Sequence, residues 1–431
     1  MTREKKPGFV IGAVQSRSGK TTVTLALLAR LGRAGVAVAP FKAGPDFIDP
    51  AWHRTLCGRP SYNLDTVMVG PDACRELFHG RRGAALGVVE GVMGLYDGRA
   101  GVGGPGSTAH LAAVLDLPVL LVVDARGMAG SIVPLVDGFV RAARGFVLAG
   151  VLANNVGSAH HGHWLQEALA EAGLPPLLGW LRRNPALALE ERHLGLVLPQ
   201  DQPAPETAIL EENLEVDVER LLAALPAAPE VPLPPPVFAR PLLAGAVVGV
   251  ARDAAFCFLY QANLDWLAAM GAEVRFFSPL AGQSLPADAT ALWLPGGYPE
   301  LHAAALANSA GCWAGVRAFA AGGGPILAEC GGMMALGQEL IDTSGQPWPM
   351  AGVLPIRTRM TGRLAGLGYR SEVSGVRGHE FHHSTRDPCA LPPAFTLERG
   401  DGGVRLGSVR ASYVHWYFPS APEEVASWLR G

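Results

Sequence analysis

The chain has 431 residues, 49% of them apolar and only 17% charged, with 54 glycines and 35 prolines. That excludes a disordered or fibrous chain and leaves room for two or three packed domains of roughly 100–200 residues each. The formal net charge of −3 gives no electrostatic pull on nucleic acid or an anionic membrane, so neither is expected as a partner.

The first apolar stretch, F-V-I-G-A-V at 9–14, is too short for a signal-peptide core or a membrane span and reads as a strand. A helix-like stretch follows at 20–33, then apolar runs at 36–41, 86–91, 119–124 and 146–152. Continuous runs, rather than strict alternation, point to strands buried on both faces of a parallel sheet. Residues 226–241 are too rich in proline to continue a helix or a central strand, so 226–243 reads as a stiff linker. Alternation then resumes, with strands at 246–251, 274–279, 291–297 and 325–329 and helices near 257–270 and 311–321. Two α/β domains are expected, 1–225 and 244–431. The six cysteines include no C-x-x-C pair, which fits reduced thiols in a cytoplasmic protein.

V-Q-S-R-S-G-K-T-T at 14–22 stands between the first strand and the first helix. Such a corner surrounds an anion with backbone N–H groups and a helix N-terminus. Ser18, Gly19, Lys20, Thr21 and Thr22 are therefore expected to bind ATP, with Lys20 reaching the β/γ-phosphates and Thr21 ligating Mg²⁺. The match to a full phosphate-loop pattern is partial, because Val14 replaces a glycine and Arg17 adds bulk. Glu90 and Asp124 each end an apolar strand, where an acid can face a nucleotide's metal or simply cap a helix. Asn154 ends a third strand, where its amide could read an adenine edge.

K-A-G-P-D-F-I-D-P at 42–50 puts Lys42, Asp46 and Asp49 on one loop after the second strand, at the ligand-binding end of an open sheet. Asp65, Glu90 and Asp97 add further acids. Acids this dense beside a phosphate loop suggest one or two metal ions, with Thr21, Asp49 and Glu90 as the expected ligands. Lys42, Asp46, Asp49 and Asp97 are the expected substrate-activating group. The plainer alternative for any one of these aspartates is a turn former beside Gly or Pro.

Cys330 stands at a strand–turn–helix corner, P-I-L-A-E-C-G-G-M-M-A-L, where a buried structural thiol would sit more naturally inside the apolar run. A sharp elbow of this kind presents a nucleophile, and the Gly331 N–H can stabilise an oxyanion. The helix start also favours the thiolate. L-P-G-G-Y-P-E at 294–300 offers the other oxyanion N–H from Gly296 or Gly297, and S-Y-V-H-W-Y at 412–417 offers His415 as base. The histidine-rich G-H-E-F-H-H at 378–383 and H-H-G-H at 160–163 lack a zinc-spaced partner set, so surface or hydrogen-bonded histidines are expected there.

Taken together and in order, these motifs resemble the cobyrinic/hydrogenobyrinic acid a,c-diamide synthases of cobalamin biosynthesis over essentially the whole chain. The resemblance implies a dethiobiotin-synthetase-like P-loop domain on a parallel sheet, followed by a flavodoxin-like class I glutamine amidotransferase domain. It implies that Cys330 attacks the amide of glutamine and that His415 assists release of ammonia. Ammonia would pass inside the protein to the first domain, where ATP and Mg²⁺ convert side-chain carboxylates of the macrocycle into acyl phosphates. The implied partners are hydrogenobyrinic or cobyrinic acid, glutamine and ATP, with a homodimer as one open assembly.

Two departures from the family pattern stand out. Class I amidotransferases commonly carry Glu two residues after the histidine, where this chain has Tyr417, and the first elbow position is Ala328 rather than Gly. Glu380 is the expected substitute for orienting His415, the alternative being that it caps a strand or binds glutamine. Cobalt cobyrinic acid and nickel-sirohydrochlorin a,c-diamide synthases are close alternatives, and cobyric acid synthase and cytidine triphosphate synthase more distant ones. A partitioning-type ATPase would leave Cys330 and the second domain idle. Resemblance favours the metal-free macrocycle as substrate.

Overall fold

The computed structural model describes residues 7–99, 101–189, 191–192, 195–196, 199, 207–226 and 240–431. The chain divides into two compact units, Met1–Pro235 and Pro236–Gly431. Most of the stretch 226–243, expected as a linker, lies outside the described residues.

The first unit contains strands β1 (Gly8–Ala13), β2 (Val38–Ala43), β3 (Tyr62–Leu64), β4 (Leu86–Glu90), β5 (Val119–Asp124), β6 (Leu148–Val156) and β7 (Leu177–Arg182). After a separate small pair, β8 (Glu191–Arg192) with β9 (Gly195–Leu196), comes β10 (Leu214–Val216). Eight strands form one sheet in the order β10-β7-β6-β5-β1-β4-β2-β3. All neighbours are parallel except β10, which runs antiparallel to β7. Every residue of β1 is buried, as its unbroken apolar run requires. β1 lies between β4 and β5, and its carboxyl end delivers the loop 14–19 into helix α1 (Lys20–Arg33).

The strands and the first helix lie close to their expected positions, but 42–50 is not one loop. Lys42 belongs to β2, and Asp49 is in the first turn of helix α2 (Ile48–Cys57). Pro50 does not prevent this, because a proline in a helix's first turn removes no intrahelical hydrogen bond. The expectation missed β3, which is only three residues long and sits in a stretch read as an acid-bearing loop.

The second unit has β11 (Val247–Ala251), β12 (Glu273–Phe277), β13 (Ala291–Leu294), β14 (Ile326–Glu329), β15 (Glu339–Ile341), β16 (Pro347–Pro349) and β17 (Arg357–Met360). It continues with β18 (Gly366–Ser371), β19 (Arg377–His382), β20 (Ser384–Arg386), β21 (Val404–Leu406), β22 (Val409–Ser412) and β23 (His415–Tyr417). The main sheet is ordered β12-β11-β13-β14-β22-β21, parallel up to β22, with β21 antiparallel at the edge. One buried cluster holds Trp266, Trp293, Trp416, Phe418 and Trp428, and another holds Leu294, Trp313, Val316 and Met333. Two smaller sheets, β16-β15-β17-β20 and β18-β19-β23, were not expected. Their strands are short and partly exposed, with too few apolar residues in a row to stand out. Among the described residues, no helix is long and apolar enough to cross a membrane.

The turn after β14 depends on glycine. A Cβ on Gly332 would lie 2.0 Å from the backbone oxygen of Leu294, so the helix Gly331–Leu336 touches β13 through bare backbone. Gly332→Ala must push the two apart, at an expected cost of about 1–3 kcal/mol. Thermal unfolding should show a lowered transition for the second unit; an unchanged transition would contradict this close approach.

Candidate active sites

In the first unit, the loop 14–19 bends through left-handed backbone at Arg17 and Gly19. Gly19 has no room for a side chain, since a Cβ there would lie 2.1 Å from Asn154 Nδ2. That Nδ2 donates to the Ser18 carbonyl at 3.0 Å, while Asn154 Oδ1 accepts from the Asn155 N–H at 2.8 Å. The amide expected to read an adenine edge is thus a brace for the phosphate loop. Ser18 Oγ donates back to the Gln15 carbonyl at 2.9 Å, closing the turn. Lys20, Thr21 and Thr22 form the first turn of α1. Lys20 Nζ donates to the Met93 carbonyl at 2.5 Å. Burial, reinforced by Lys42, draws its pKa down to about 8 against the pull of Glu90, Asp49 and Asp97.

Thr21 Oγ1 donates to Glu90 Oε1 at 2.6 Å and stands 3.4 Å from Asp49 Oδ2. The three expected metal ligands therefore meet, although they come from α1, α2 and β4. Lys42 Nζ lies 2.6 Å from Asp49 Oδ2 and 3.1 Å from Glu90 Oε1, and donates to the Gly91 carbonyl at 2.9 Å. His53 Nε2 is 2.8 Å from Glu90 Oε2, and its Nδ1 is 3.0 Å from Ser61 Oγ. Burial alone would lower the pKa of the Lys42 ammonium, but Asp49 and then Glu90 hold it above its ordinary value. Burial also opposes ionisation of Glu90, yet Lys42, His53 and Thr21 hold that carboxyl below the usual range. Asp49 is pushed up by burial, Asp46 and Glu90, against Lys42.

These shifts describe a buried site in which Asp49 and Glu90 share Lys42 as their close cation. The available ligands are hard oxygens, and among the described residues no group of three or more His, Cys, Asp or Glu forms an all-protein cage. Two carboxylates and a hydroxyl fit Mg²⁺, which keeps several waters and takes few protein ligands. His53 was missed by sequence reasoning, though its position four residues after Asp49 puts both on one face of α2.

The remaining acids have more local tasks. Asp46 Oδ1 accepts the N–H groups of Ile48 and Asp49 and so starts α2, while its charge still reaches Asp49 and Lys42. Asp97 Oδ2 accepts the Gly94 N–H at 3.0 Å and closes the turn after Met93. Asp65 Oδ1 accepts from Val67 and Met68 N–H. Asp124 pairs with Arg126 at 2.5 Å and does not join the Thr21 cluster.

In the second unit, Cys330 occupies the elbow at φ 46° and ψ −108°, and its backbone N–H donates to the Ser412 carbonyl at 2.7 Å. Gly296 lies against the side chains of both His415 and Cys330: a Cβ on it would be 2.2 Å from His415 Cε1 and 3.3 Å from Cys330 Cβ. A Cβ on Gly331 would be 3.1 Å from the Gly297 nitrogen, so the two glycine corners meet. The expected preformed thiolate is not found. Burial, then Glu300, pushes the thiol up to about 12, and the Gly331 N–H relieves this only in part. His415 is held well below 6.5 by burial and by His379 and His382. Both shifts favour the neutral form, of the thiol and of the imidazole.

Glu380 is not placed to orient His415. Its carboxylate is paired with Arg370, and alternation along β19 sends it to the face opposite His379. His379 instead stacks on His415, with ring centroids 5.1 Å apart and 22° between planes, and its Nδ1 is 2.8 Å from Tyr260 Oη. Tyr417, at the usual acid position, packs its ring against Tyr260. His382 is likewise buried, with Nδ1 2.8 Å from the Ser384 carbonyl. One further acid escaped sequence reasoning, Glu329, directly before Cys330. It accepts from Trp416 N–H at 2.9 Å and Trp293 Nε1–H at 3.1 Å, and burial raises its pKa to about 8.

Known protein families match both units of the chain. Residues 9–197 match the CobQ/CobB/MinD/ParA nucleotide binding domain, and residues 247–423 match the CobB/CobQ-like glutamine amidotransferase domain. A hydrogenobyrinate a,c-diamide synthase of Stutzerimonas stutzeri is 43% identical, with 100% of each chain covered. A cobyrinate a,c-diamide synthase of Herminiimonas arsenicoxydans is 40% identical over 97% of this chain and 95% of its own. The chain belongs to the cobyrinate/hydrogenobyrinate a,c-diamide synthase family. Among solved structures, a glutamine amidotransferase covers 43% of this chain and 97% of its own at 20% identity and a TM-score of 0.33.

For this a,c-diamide synthase family member, the buried imidazole sets a pH expectation. A base for the thiol proton at His415 must be neutral, and a pKa depressed below 6.5 keeps that imidazole neutral into more acidic solution. The acid limb of kcat/KM for glutamine hydrolysis should therefore lie well below pH 6.5. A limb at or above 6.5 in a pH–rate profile would remove His415, as placed here, from the base role.

Proposed function

We propose that this protein amidates the a and c acetate carboxylates of hydrogenobyrinic acid, using ATP and taking nitrogen from glutamine. The reading is carried by one observation above the rest: full-length relatives bear this activity in their names, and the chain has both a phosphate corner and a glycine-lined thiol. The thiols of all six cysteines suit a reducing cytoplasm as its place of work.

At the second unit, Cys330 Sγ attacks the carboxamide carbon of glutamine as its proton passes to His415. The N–H groups of Gly331 and Gly296 or Gly297 stabilise the oxyanion. His415 then gives the proton to the leaving nitrogen, ammonia departs, and water hydrolyses the thioester to glutamate. At the first unit, the loop 18–22 and Lys20 hold the triphosphate, and a macrocycle carboxylate displaces ADP from the γ-phosphorus. Ammonia attacks the resulting acyl phosphate at carbon and phosphate leaves. Mg²⁺, held by Thr21, Asp49 and Glu90, would neutralise phosphate charge at this site. Lys42 supplies the charge that balances the buried Asp49 and Glu90, Asp46 starts the helix that carries Asp49, Asp97 shapes the turn reached by Lys20, and Asn154 keeps the loop in place.

The relatives named for cobyrinate favour a second reading, in which the ring carries cobalt. Turnover of the metal-free and cobalt macrocycles side by side decides between them, and faster turnover of the cobalt form would overturn the first.

Asp49→Asn keeps the shape of α2 but removes charge from the cluster. Diamide formation should fall by about 10²-fold or more, with glutaminase activity largely kept. Unchanged synthesis would take Asp49 out of the mechanism. Cys330→Ala should lose glutamine-dependent synthesis yet retain synthesis from ammonium salts. Lys20→Ala should lose both, because no carboxylate is activated. A folded, ATP-binding Cys330→Ala protein that cannot use ammonium would refute the division of labour.

A further inference from the structure

Glu329 ends β14, and the residue after it is Cys330; its side chain is buried, with 1% of the residue exposed. Its two oxygens take two donors from different segments. Oε2 accepts from Trp293 Nε1–H on β13, and Oε1 accepts from the backbone N–H of Trp416, the residue after His415. The residue before the nucleophile thus holds the residue after the base.

No sheet ladder makes that connection. β14 pairs with β22 as far as Glu329 and Ser412, whereas β23, which carries His415, pairs with β19. The Trp416 peptide is also gripped from its other end, where Asn263 Nδ2 donates to the Trp416 carbonyl at 2.7 Å. Asn263 Oδ1 accepts the Phe418 N–H at 2.9 Å, so the whole turn after His415 is fixed by buried side chains. A buried carboxylate is a costly acceptor for two neutral N–H groups, since an amide or carbonyl would hold one of them without desolvating a charge. Ionised, the side chain accepts on both oxygens and can hold β13 and the His415 segment to the elbow at once, and these two donors favour that form against the pull of burial.

We propose that Glu329 is a positioning residue for the glutaminase reaction, setting the imidazole of His415 against the thiol of Cys330 through the Trp416 backbone. It stands in for the acid absent at Tyr417, by fixing the main chain rather than by touching the ring. The inference rests on Cys330 and His415 being nucleophile and base. The proton that leaves Sγ during attack goes to the imidazole and then to the departing ammonia, so both transfers depend on one distance. Misplacement by about 1 Å costs such a step on the order of 10²-fold.

The test is Glu329→Gln in the full chain. Its carbonyl can still accept from one of the two N–H groups, but its NH₂ meets the other donor. Glutamine hydrolysis should lose about 10–100-fold in kcat with KM changed by less than about threefold, the signature of a lost transition-state arrangement. Ammonium-dependent synthesis and the unfolding temperature should stay near the parent's. Alkylation of Cys330 by iodoacetamide, which draws on the same imidazole, should slow in parallel. A glutaminase kcat within about threefold of the parent would overturn the proposal. So would joint loss of unfolding temperature and ammonium-dependent synthesis, which marks a purely structural acid. If Cys330→Ala itself still hydrolyses glutamine, the underlying assignment fails instead, and the two failures are told apart. Glu329→Ala is expected to unfold more readily, which is why the near-isosteric glutamine carries the test.

Discussion

A carboxylate taken out of water must be given donors or a cation, and the geometry of both sites follows from meeting that demand. In the first unit Glu90 is fully buried at the end of β4, and it gathers Thr21, Lys42 and His53 from three other elements. Because each partner comes from a different segment, satisfying Glu90 brings the phosphate corner, the second strand and α2 together. In the second unit Glu329 draws on Trp293 and Trp416 and joins the elbow strand to the histidine segment. The difference lies in charge. Glu90 has an ammonium beside it and is held ionised, whereas Glu329 has only neutral donors and burial raises its pKa to about 8.

Around these acids, the chain is brought close by leaving side chains out. Gly19 lets Asn154 press on the phosphate loop, and Gly296 lets His415 and Cys330 approach the same backbone. Gly332 lets the helix after Cys330 rest on β13. The left-handed backbone at Cys330 itself is strained for a side-chain-bearing residue. Its N–H bond to Ser412 and the packed glycines after it hold that conformation.

Much of this was legible in the sequence where backbone chemistry and apolar runs agree. The Gly-Lys-Thr-Thr corner, the Cys-Gly-Gly elbow and the buried parallel strands depend on local residue types, so short motifs announce them. What was not legible depends on partners distant in the chain. Asn154 has an amide able to read a base, and only the fold shows that it reads Ser18. Glu380 offered a carboxylate in a histidine-rich strand, but Arg370, ten residues earlier on β18, takes it. His379, one residue earlier, meets His415 because β19 and β23 align those two positions, a register no motif encodes. The thiol of Cys330 was expected to ionise at a helix start. Its burial and the acids Glu300, Glu329 and Glu380 outweigh a helix of only six residues.

That last reversal shapes the chemistry assigned to the second unit. A thiol held neutral is protected from chance oxidation and alkylation, because the thiolate is the reactive form. It becomes a nucleophile only when a carbonyl carbon is at hand and a neutral imidazole can accept the proton in the same event. His415 is kept neutral by burial and by two neighbouring histidines, so it is ready to accept and poorly able to hold what it accepts. An imidazolium made costly in this way returns its proton readily to the departing nitrogen. With burial and two neighbouring histidines disfavouring the imidazolium, the transfer depends on positional accuracy, and that accuracy is what the clamp on the Trp416 backbone would provide.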